Sequence, residues 1–275
     1  MPGPVPPPSW YMIRLQLLVT GKGERQKIEE LFRPLLACGF LIFEPPVKIE
    51  QLSPTKEHLT VTGTEKKVIN KRDEQIGLIA RRFLIGGKSD ERRILILLDD
   101  LEGARSDLAD SVFSRYRDAL DVFLTPHGKE QCASVHFLRN MLEAYYWADP
   151  DAVSKSMNEL HPGHGKRPFV GCSGDVETIR HPKNDLKDYY GSFDEIRDGG
   201  KILENIDVSR VLGNPETCRA LRTMFHWCIE KLSAHPNFEQ WRSASPLPPL
   251  AERKLWPVTA GQCIDSPRAS ARAPA

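Results

Sequence analysis

Asp99, Asp100 and Glu102 place three carboxylates within four residues of the sequence. Carboxylates this close repel one another unless a cation, a proton or solvent relieves the repulsion. Hard divalent ions prefer carboxylate oxygen, and Mg²⁺ is often held by one or two carboxylates together with the phosphate of a substrate. The group therefore predicts a site in which these three residues bind Mg²⁺ (or Mn²⁺) and act as catalytic residues on a phosphate. The alternative is that the acids only cap the next helix and face water.

Other residues are candidates to join the acidic group from neighbouring turns. Glu24, after the first predicted strand, would add a catalytic and metal-binding carboxylate, and Glu143 would add a further catalytic one. His136 is a candidate proton carrier, although a lone histidine in an apolar run is usually a hydrogen-bonded core residue. Candidates for binding phosphate or nucleic acid are Lys22, His136, His181 and Lys183, although basic residues of the second half can equally form a solvated surface.

Two glycine-lysine segments resemble phosphate-binding loops only in part. Gly21-Lys22-Gly23 lacks the third glycine of the dinucleotide-binding fingerprint, so a plain tight turn is the simpler interpretation. Gly87-Lys88-Ser89 ends like a Walker A loop, but Arg82 stands where the first glycine is required, and the segment precedes a strand. The sequence therefore argues against a P-loop.

The candidate residues follow the strands of a predicted sheet. Met12–Thr20 and Arg92–Leu98 are apolar runs typical of buried strands, and Ala133–Phe137 is a shorter one. A predicted helix over Glu24–Cys38 follows the first strand, and a longer one, with apolar residues from Leu108 to Phe123, follows the second. This alternation predicts an α/β fold with a mainly parallel sheet flanked by helices. Ligands of such sheets collect at the carboxyl ends of the strands, where the acidic residues lie.

The second half of the chain contains no convincing strand. Helical patterns cover Pro150–Asn158, Asp175–Tyr189 and Pro215–Leu232. We therefore expect an α/β core followed by an all-helical C-terminal half. The predicted boundaries are a disordered Pro-rich arm at 1–10, the core at 11–149, a helical extension packed on the core at 150–242 and a largely disordered tail at 243–275.

Composition limits the classes of partner. The 38 lysines and arginines nearly balance the 37 aspartates and glutamates, so any contact with nucleic acid must be local. No apolar run is long enough to span a bilayer, and the N-terminus lacks the pattern of a secretory signal. The six cysteines form no CxxC pair, which favours reduced thiols in a cytoplasm over a zinc ribbon or a disulfide scaffold.

Several blocks of the sequence resemble one bacterial family. The most specific are LDDLE, within ILILLDDLEGARSDLADSVFSRYRDALD, and NMLEAYYWAD, within SVHFLRNMLEAYYWAD; VTGKGERQKIEELFRPL, DVETIRHPKNDLK and ETCRALRTMFHWC follow the same family. The chain is similar, from about Met12 to Leu232, to the RloG-like domain of unknown function, which is related to Toprim domains. This resemblance implies a Toprim-like core and a partner ATPase encoded beside it, in a setting of defence against phage or plasmids.

The resemblance also implies a site and shows a departure from it. A Toprim site has a glutamate at the end of the first strand and an acidic pair after a later strand, which together bind Mg²⁺ and act on a phosphodiester. Asp99-Asp100-Leu101-Glu102 matches the second element, whereas Thr20 stands in place of the glutamate and leaves Glu24 as the nearest acid. Three hypotheses follow: a metal-dependent nuclease, a non-catalytic subunit that binds nucleic acid or an ATPase, and a nucleotide-processing enzyme.

Overall fold

A computed structural model describes residues 12–21, 27–53, 70–86, 91–162 and 168–250. The predictions for Lys22 and Glu24, for the arm at 1–10 and for most of the tail therefore lie outside the described residues. None of the described helices has the length and apolar content needed to cross a membrane.

The described residues form five strands and nine α-helices, joined by short 3₁₀ helices. The strands are β1 (Ile13–Val19), β2 (Leu41–Phe43), β3 (Val47–Lys48), β4 (Arg92–Leu101) and β5 (Ala133–Arg139). The helices are α1 (Arg33–Leu36), α2 (Lys71–Ile85), α3 (Ala109–Leu124), α4 (Pro150–Leu160), α5 (Pro182–Tyr190), α6 (Arg197–Asn205), α7 (Val208–Gly213), α8 (Arg219–Leu232) and α9 (Phe238–Ala244).

The strands form a single parallel sheet in the order β2-β1-β4-β5, with β3 also paired to β1. The predicted α/β class is confirmed, and the described part of the second half is helical as expected. All strands run the same way, so their carboxyl ends meet at one edge of the sheet. Val19 pairs with Leu98 and Leu98 with His136, which brings the ends of β1, β4 and β5 side by side.

The central strand β4 is buried on both faces, as its apolar run predicts. Ile94, Ile96 and Leu98 belong to the core shared with the helical second half. Leu95, Leu97 and Leu101 belong to a second core under α2 and α3. Alternate residues of β4 therefore point to two different layers.

Three elements differ from the sequence-based expectations. The described part of the predicted helix over Glu24–Cys38 is a 3₁₀ helix at Ile28–Phe32 followed by the single turn of α1, which has Pro34 in its first turn. The helix predicted from Pro215 begins only at Arg219, because Cys218 has a left-handed backbone (φ 57°). The helical pattern over Asp175–Tyr189 divides into a 3₁₀ helix at Val176–Thr178 and α5.

Candidate functional site

The acidic residues Asp99 and Asp100 lie inside β4, which continues three residues further than its predicted end at Leu98. Side chains of a strand alternate between faces. Asp99 therefore points to the same layer as Leu97 and Leu101, under α2 and α3. Asp100 points to the opposite layer, on the side of Leu98. The structure thus separates two carboxylates that the sequence placed in one group.

The Asp99 carboxylate is surrounded by hydrogen-bond donors and is only 1% exposed. Its Oδ1 accepts from the Thr20 hydroxyl at 2.7 Å and from the Gln51 amide at 2.9 Å. Its Oδ2 accepts from Arg105 Nη2 at 2.6 Å. Thr20 directly follows β1 and Gln51 follows β3, so the segments after three strands meet at this carboxylate. Its two oxygens are hydrogen-bonded to the protein itself.

Arg105 holds the guanidinium that neutralises Asp99. It lies in the 3₁₀ helix Gly103–Leu108, directly after β4, and its side chain is 17% exposed. The guanidinium also donates to the carbonyl oxygens of Asp100 at 2.7 Å and of Leu52 at 3.2 Å. Burial lowers the pKa of Arg105, but the hydrogen bond to Asp99 and its charge outweigh this effect, so the pKa is raised. Arg105 is thus a permanent cation fixed at several points.

Tyr116 of α3 closes the same cluster from the helix layer. Its hydroxyl accepts a hydrogen bond from the Leu52 N–H at 3.0 Å. Burial and the charge of Asp99 raise the pKa of Tyr116 well above its usual range, so the phenol stays neutral.

Sequence reasoning missed Gln51, Arg105 and Tyr116, because none forms a motif with Asp99. Only the six-residue spacing from Asp99 to Arg105, across one short turn, was a usable signal.

The hydrogen-bond donors around Asp99 decide whether its carboxylate can bind a metal ion. A hard divalent ion needs carboxylate oxygens that are free to coordinate it. Here both carboxylate oxygens already accept hydrogen bonds, from the Arg105 guanidinium and from the neutral side chains of Thr20 and Gln51. The positive charge of Arg105 would also repel a divalent cation. The described residues around Asp99 therefore do not fit a metal ion while Arg105 is in place.

Asp100 points to the other face of β4, and Glu102 is the first residue after the strand. Asp100 is half-buried, whereas Glu102 is exposed and precedes the 3₁₀ helix Gly103–Leu108. Within the described ranges, no three histidine, cysteine, aspartate or glutamate side chains are grouped closely enough to hold a metal ion. The alternation of the strand, which puts Asp99 on the opposite side, is the physical reason.

Glu143 and Lys183 are brought together in the helical half. Glu143 is buried in the 3₁₀ helix Leu142–Ala148, and Lys183 of α5 forms an ion pair with Glu195 at 2.6 Å. Burial lowers the pKa of Lys183. The hydrogen bond to Glu195 and the charges of Glu195 and Glu143 have the larger, opposite effect, so the pKa is raised. His181, just before α5, is exposed. Lys183 is thus engaged with carboxylates, while His181 remains accessible.

His136 is buried in the core and is not at the surface of the sheet edge. It is 0% exposed, its Nε2 lies 2.8 Å from the Ser134 hydroxyl, and its ring packs edge-on to Trp227 at 6.0 Å. Burial lowers the pKa of His136 to about 3. A neutral, enclosed imidazole cannot contact a nucleic-acid phosphate, so the core alternative describes this residue and the phosphate-binding prediction does not.

The exit of β5 contains two consecutive non-glycine residues with left-handed backbone. Asn140 has φ 54° and Met141 has φ 75°, a conformation that L-residues rarely adopt. Asn140 is held by two bonds: its N–H donates to the Leu101 carbonyl at 3.1 Å, and its side-chain amide donates to the Glu177 carbonyl at 2.8 Å. Strain of this kind persists only where surrounding contacts fix it. No sequence signal indicated it.

Comparisons with known proteins add one distant likeness. No protein-family model matches the chain, and no curated protein matches it significantly. Among solved structures, the chain is similar to the C-terminal region of the OLD protein of Xanthomonas campestris pv. campestris. The two are 10% identical, the match covers 72% of this chain and 90% of that one, and the TM-score is 0.31. A TM-score this low does not establish a shared fold, so membership of the RloG-like family stays a prediction.

Proposed function

We propose that this chain is a non-catalytic, nucleic-acid-binding subunit with a Toprim-like core. The observation that carries the proposal is the environment of Asp99. Both carboxylate oxygens accept hydrogen bonds inside the protein, and Arg105 supplies the positive charge. Metal-assisted phosphoryl transfer needs carboxylates that are open to the metal ion and the substrate. A carboxylate enclosed in this way argues against cleavage at Asp99.

Thr20 supports the same interpretation. The Toprim pattern implies a glutamate at this position, whereas a threonine hydroxyl brings no negative charge to a metal ion. Its hydroxyl donates to Asp99 at 2.7 Å and so forms part of the internal network. In the proposed subunit, Thr20 and Asp99 therefore stabilise the junction of the strand ends and do not bind a metal ion.

The exposed face of α2 is the proposed contact with nucleic acid. Lys71, Arg81 and Arg82 are exposed and form no ion pair with any described residue. At a rise of about 1.5 Å per residue, Lys71 and Arg82 are roughly 17 Å apart along the helix, a span that covers more than one phosphate. Because the charges of the whole chain nearly balance, only a local group of basic residues such as this one would attract the phosphates of a nucleic acid. An ATPase encoded alongside, in a bacterial defence system, is the further partner that the RloG-like resemblance implies.

A metal-dependent nuclease is the second candidate function. Asp100 and Glu102 favour it, because Asp100 points away from the layer of Asp99 and Glu102, the first residue after β4, is exposed. In that case the metal ion would lie on the opposite side of the strand from Asp99, with Mg²⁺ or Mn²⁺ supplying Lewis-acid chemistry.

One set of assays tests both candidates. The full chain is incubated with plasmid, linear duplex, single-stranded DNA and RNA, with and without Mg²⁺ or Mn²⁺, and both retardation and cleavage are recorded. We expect salt-dependent binding and no cleavage. Arg81→Glu/Arg82→Glu should weaken binding on the order of ten-fold, since two phosphate contacts become repulsive. Lys129→Glu/Lys155→Glu makes the same change of charge at exposed positions elsewhere and should have a much smaller effect.

Two results would contradict the proposal. Metal-dependent cleavage that Asp100→Ala/Glu102→Ala abolishes would establish the nuclease instead. Equal loss of binding in both charge-reversed variants would show that the attraction is non-specific and that the α2 face is not the contact.

A further inference from the structure

Arg222 is an arginine of α8 whose side chain is enclosed by the protein. It is only 2% exposed, and arginine is rarely buried this deeply unless its charge is paired. Its Nη1 donates a hydrogen bond to the carbonyl oxygen of Leu212, in the last turn of α7. Yet no aspartate or glutamate among the described residues forms an ion pair with it. Arg222 is therefore a buried cation held by a neutral group alone.

Two other buried arginines, both on α3, show what the guanidinium of Arg222 lacks. Each donates through Nη1 to a backbone carbonyl oxygen, as Arg222 does. In addition, Arg115 binds the Asp73 carboxylate through Nε at 3.4 Å and through Nη2 at 3.0 Å. Arg117 binds the Asp121 carboxylate through the same two atoms. A carboxylate thus occupies the Nε–Nη2 edge of both arginines.

The Nε–Nη2 edge of Arg222 has no such partner within the described ranges. Its Nε is buried without a hydrogen-bond partner, and its Nη2 donates to no described residue. Two parallel N–H groups on one edge of a guanidinium match the two oxygens of a carboxylate. The bond from Nη1 to Leu212 fixes the guanidinium and leaves this edge available.

The charged groups near Arg222 do not supply the missing negative charge. Burial lowers the pKa of Arg222, and the only opposing charge in the described part of the chain is that of Cys218. Burial raises the pKa of the Cys218 thiol well above its usual range, so the thiol stays neutral. The guanidinium of Arg222 is therefore uncompensated by these residues.

We propose that the Nε–Nη2 edge of Arg222 binds the carboxylate of a small organic ligand. An unpaired buried cation is costly, and a carboxylate brings both a negative charge and two acceptor oxygens. Leu212 is followed by the exposed residues 213–216, so a small carboxylate would reach the guanidinium by a short path. The site requires neither the proposed nucleic-acid binding nor a metal ion.

Thermal unfolding of the full chain tests the site, with sodium acetate as the probe. Acetate is raised to about 100 mM while sodium chloride keeps the ionic strength constant, because a ligand that binds only the folded state raises the unfolding temperature. We expect an increase of about 2–4 °C in the wild type. In Arg222→Met, which has no guanidinium, the increase should be below about 0.5 °C.

Two further variants make the test specific. Arg219→Met is the matched control, because Arg219 is exposed at the first position of the same helix, and it should keep the wild-type response. Arg222→Lys serves if Arg222→Met does not fold. It keeps a positive charge but lacks the planar fork, so its half-maximal response should need on the order of ten times more acetate.

Two results would overturn the proposal. No increase in the wild type would show that water alone satisfies the guanidinium. The same response in the wild type and in the Arg222 variant that folds would show a general effect of acetate on the protein.

Discussion

Asp99 and Arg105 form an ion pair whose energetics differ from those of a surface pair. The Asp99 side chain is 0% exposed and the guanidinium is largely buried. Taking both charges out of water is costly, and the hydrogen bonds from Thr20 and Gln51 offset part of that cost. The loss of one partner leaves an uncompensated buried charge, which is far more destabilising than the loss of both.

Arg105→Met should therefore destabilise the protein by about 3–5 kcal/mol, measured as the free energy of unfolding in urea. The double variant Asp99→Asn/Arg105→Met should recover much of that loss, because no buried charge remains. Arg81→Met, at an exposed position without an ion pair to a described residue, is the control and should change stability by less than about 0.5 kcal/mol. Equal effects of Arg105→Met and Arg81→Met would show that the pair is not formed.

His136 should make the stability of the folded protein depend on pH. Its pKa is lowered to about 3 in the folded protein, so the unfolded chain takes up the proton first as the pH falls below about 6.5. The stability contributed by His136 is therefore lost as the pH falls from 6.5 towards 3, by about 2 kcal/mol between pH 6.5 and 5. The difference in unfolding free energy between the wild type and His136→Gln, measured across this range, should shrink accordingly. A difference that does not change with pH would contradict the buried, neutral imidazole.

At the scale of elements, α2 and α3 pack at a distance that Gly77 permits. A Cβ atom at this position would lie 2.0 Å from Cδ2 of Phe123 and 2.6 Å from the carbonyl oxygen of Ala119. The ring can rotate away, but the backbone oxygen cannot move without displacing α3. The contact of the two helices that cover the Asp99 layer therefore depends on the absence of a side chain.

Gly77→Ala should consequently cost about 1–3 kcal/mol, although alanine favours helices over glycine. Gly213→Ala is the matched control, since nothing lies within 4 Å of a Cβ atom at that helical position. Thermal unfolding of both variants checks the prediction. A stabilised Gly77→Ala would mean that α2 and α3 lie further apart than described.

The length of β4 shows where sequence reasoning reached its limit. The apolar run Arg92–Leu98 was sufficient to predict a buried central strand, and it was confirmed. The same run could not reveal that pairing with β5 extends the strand through Leu101. Because side chains alternate along a strand, these three residues decide that Asp99 and Asp100 point to opposite layers. The spacing of the acids in the sequence therefore could not predict their geometry.

At the scale of the whole molecule, the two faces of the sheet have different partners. One face is covered by α2 and α3, and the other by the 3₁₀ helix Ile28–Phe32, α1 and helices of the second half. The alternation of strands and helices was enough to predict this parallel arrangement. The contacts that define the site were not predictable, since Arg105, Gln51 and Tyr116 reach Asp99 through tertiary structure and form no sequence motif with it.

The linkage between metal binding and stability tests the central claim most directly. Unfolding free energies of the wild type and Asp99→Asn are compared without metal and with about 10 mM Mg²⁺ or Mn²⁺. A ligand that binds the folded state at 100 times its Kd stabilises it by about 2.7 kcal/mol. Because Arg105 neutralises Asp99, we predict that neither ion stabilises the wild type by more than about 0.5 kcal/mol beyond its effect on Asp99→Asn. Stabilisation of the wild type by more than about 1 kcal/mol that Asp99→Asn abolishes would contradict this account and restore Asp99 as a metal ligand.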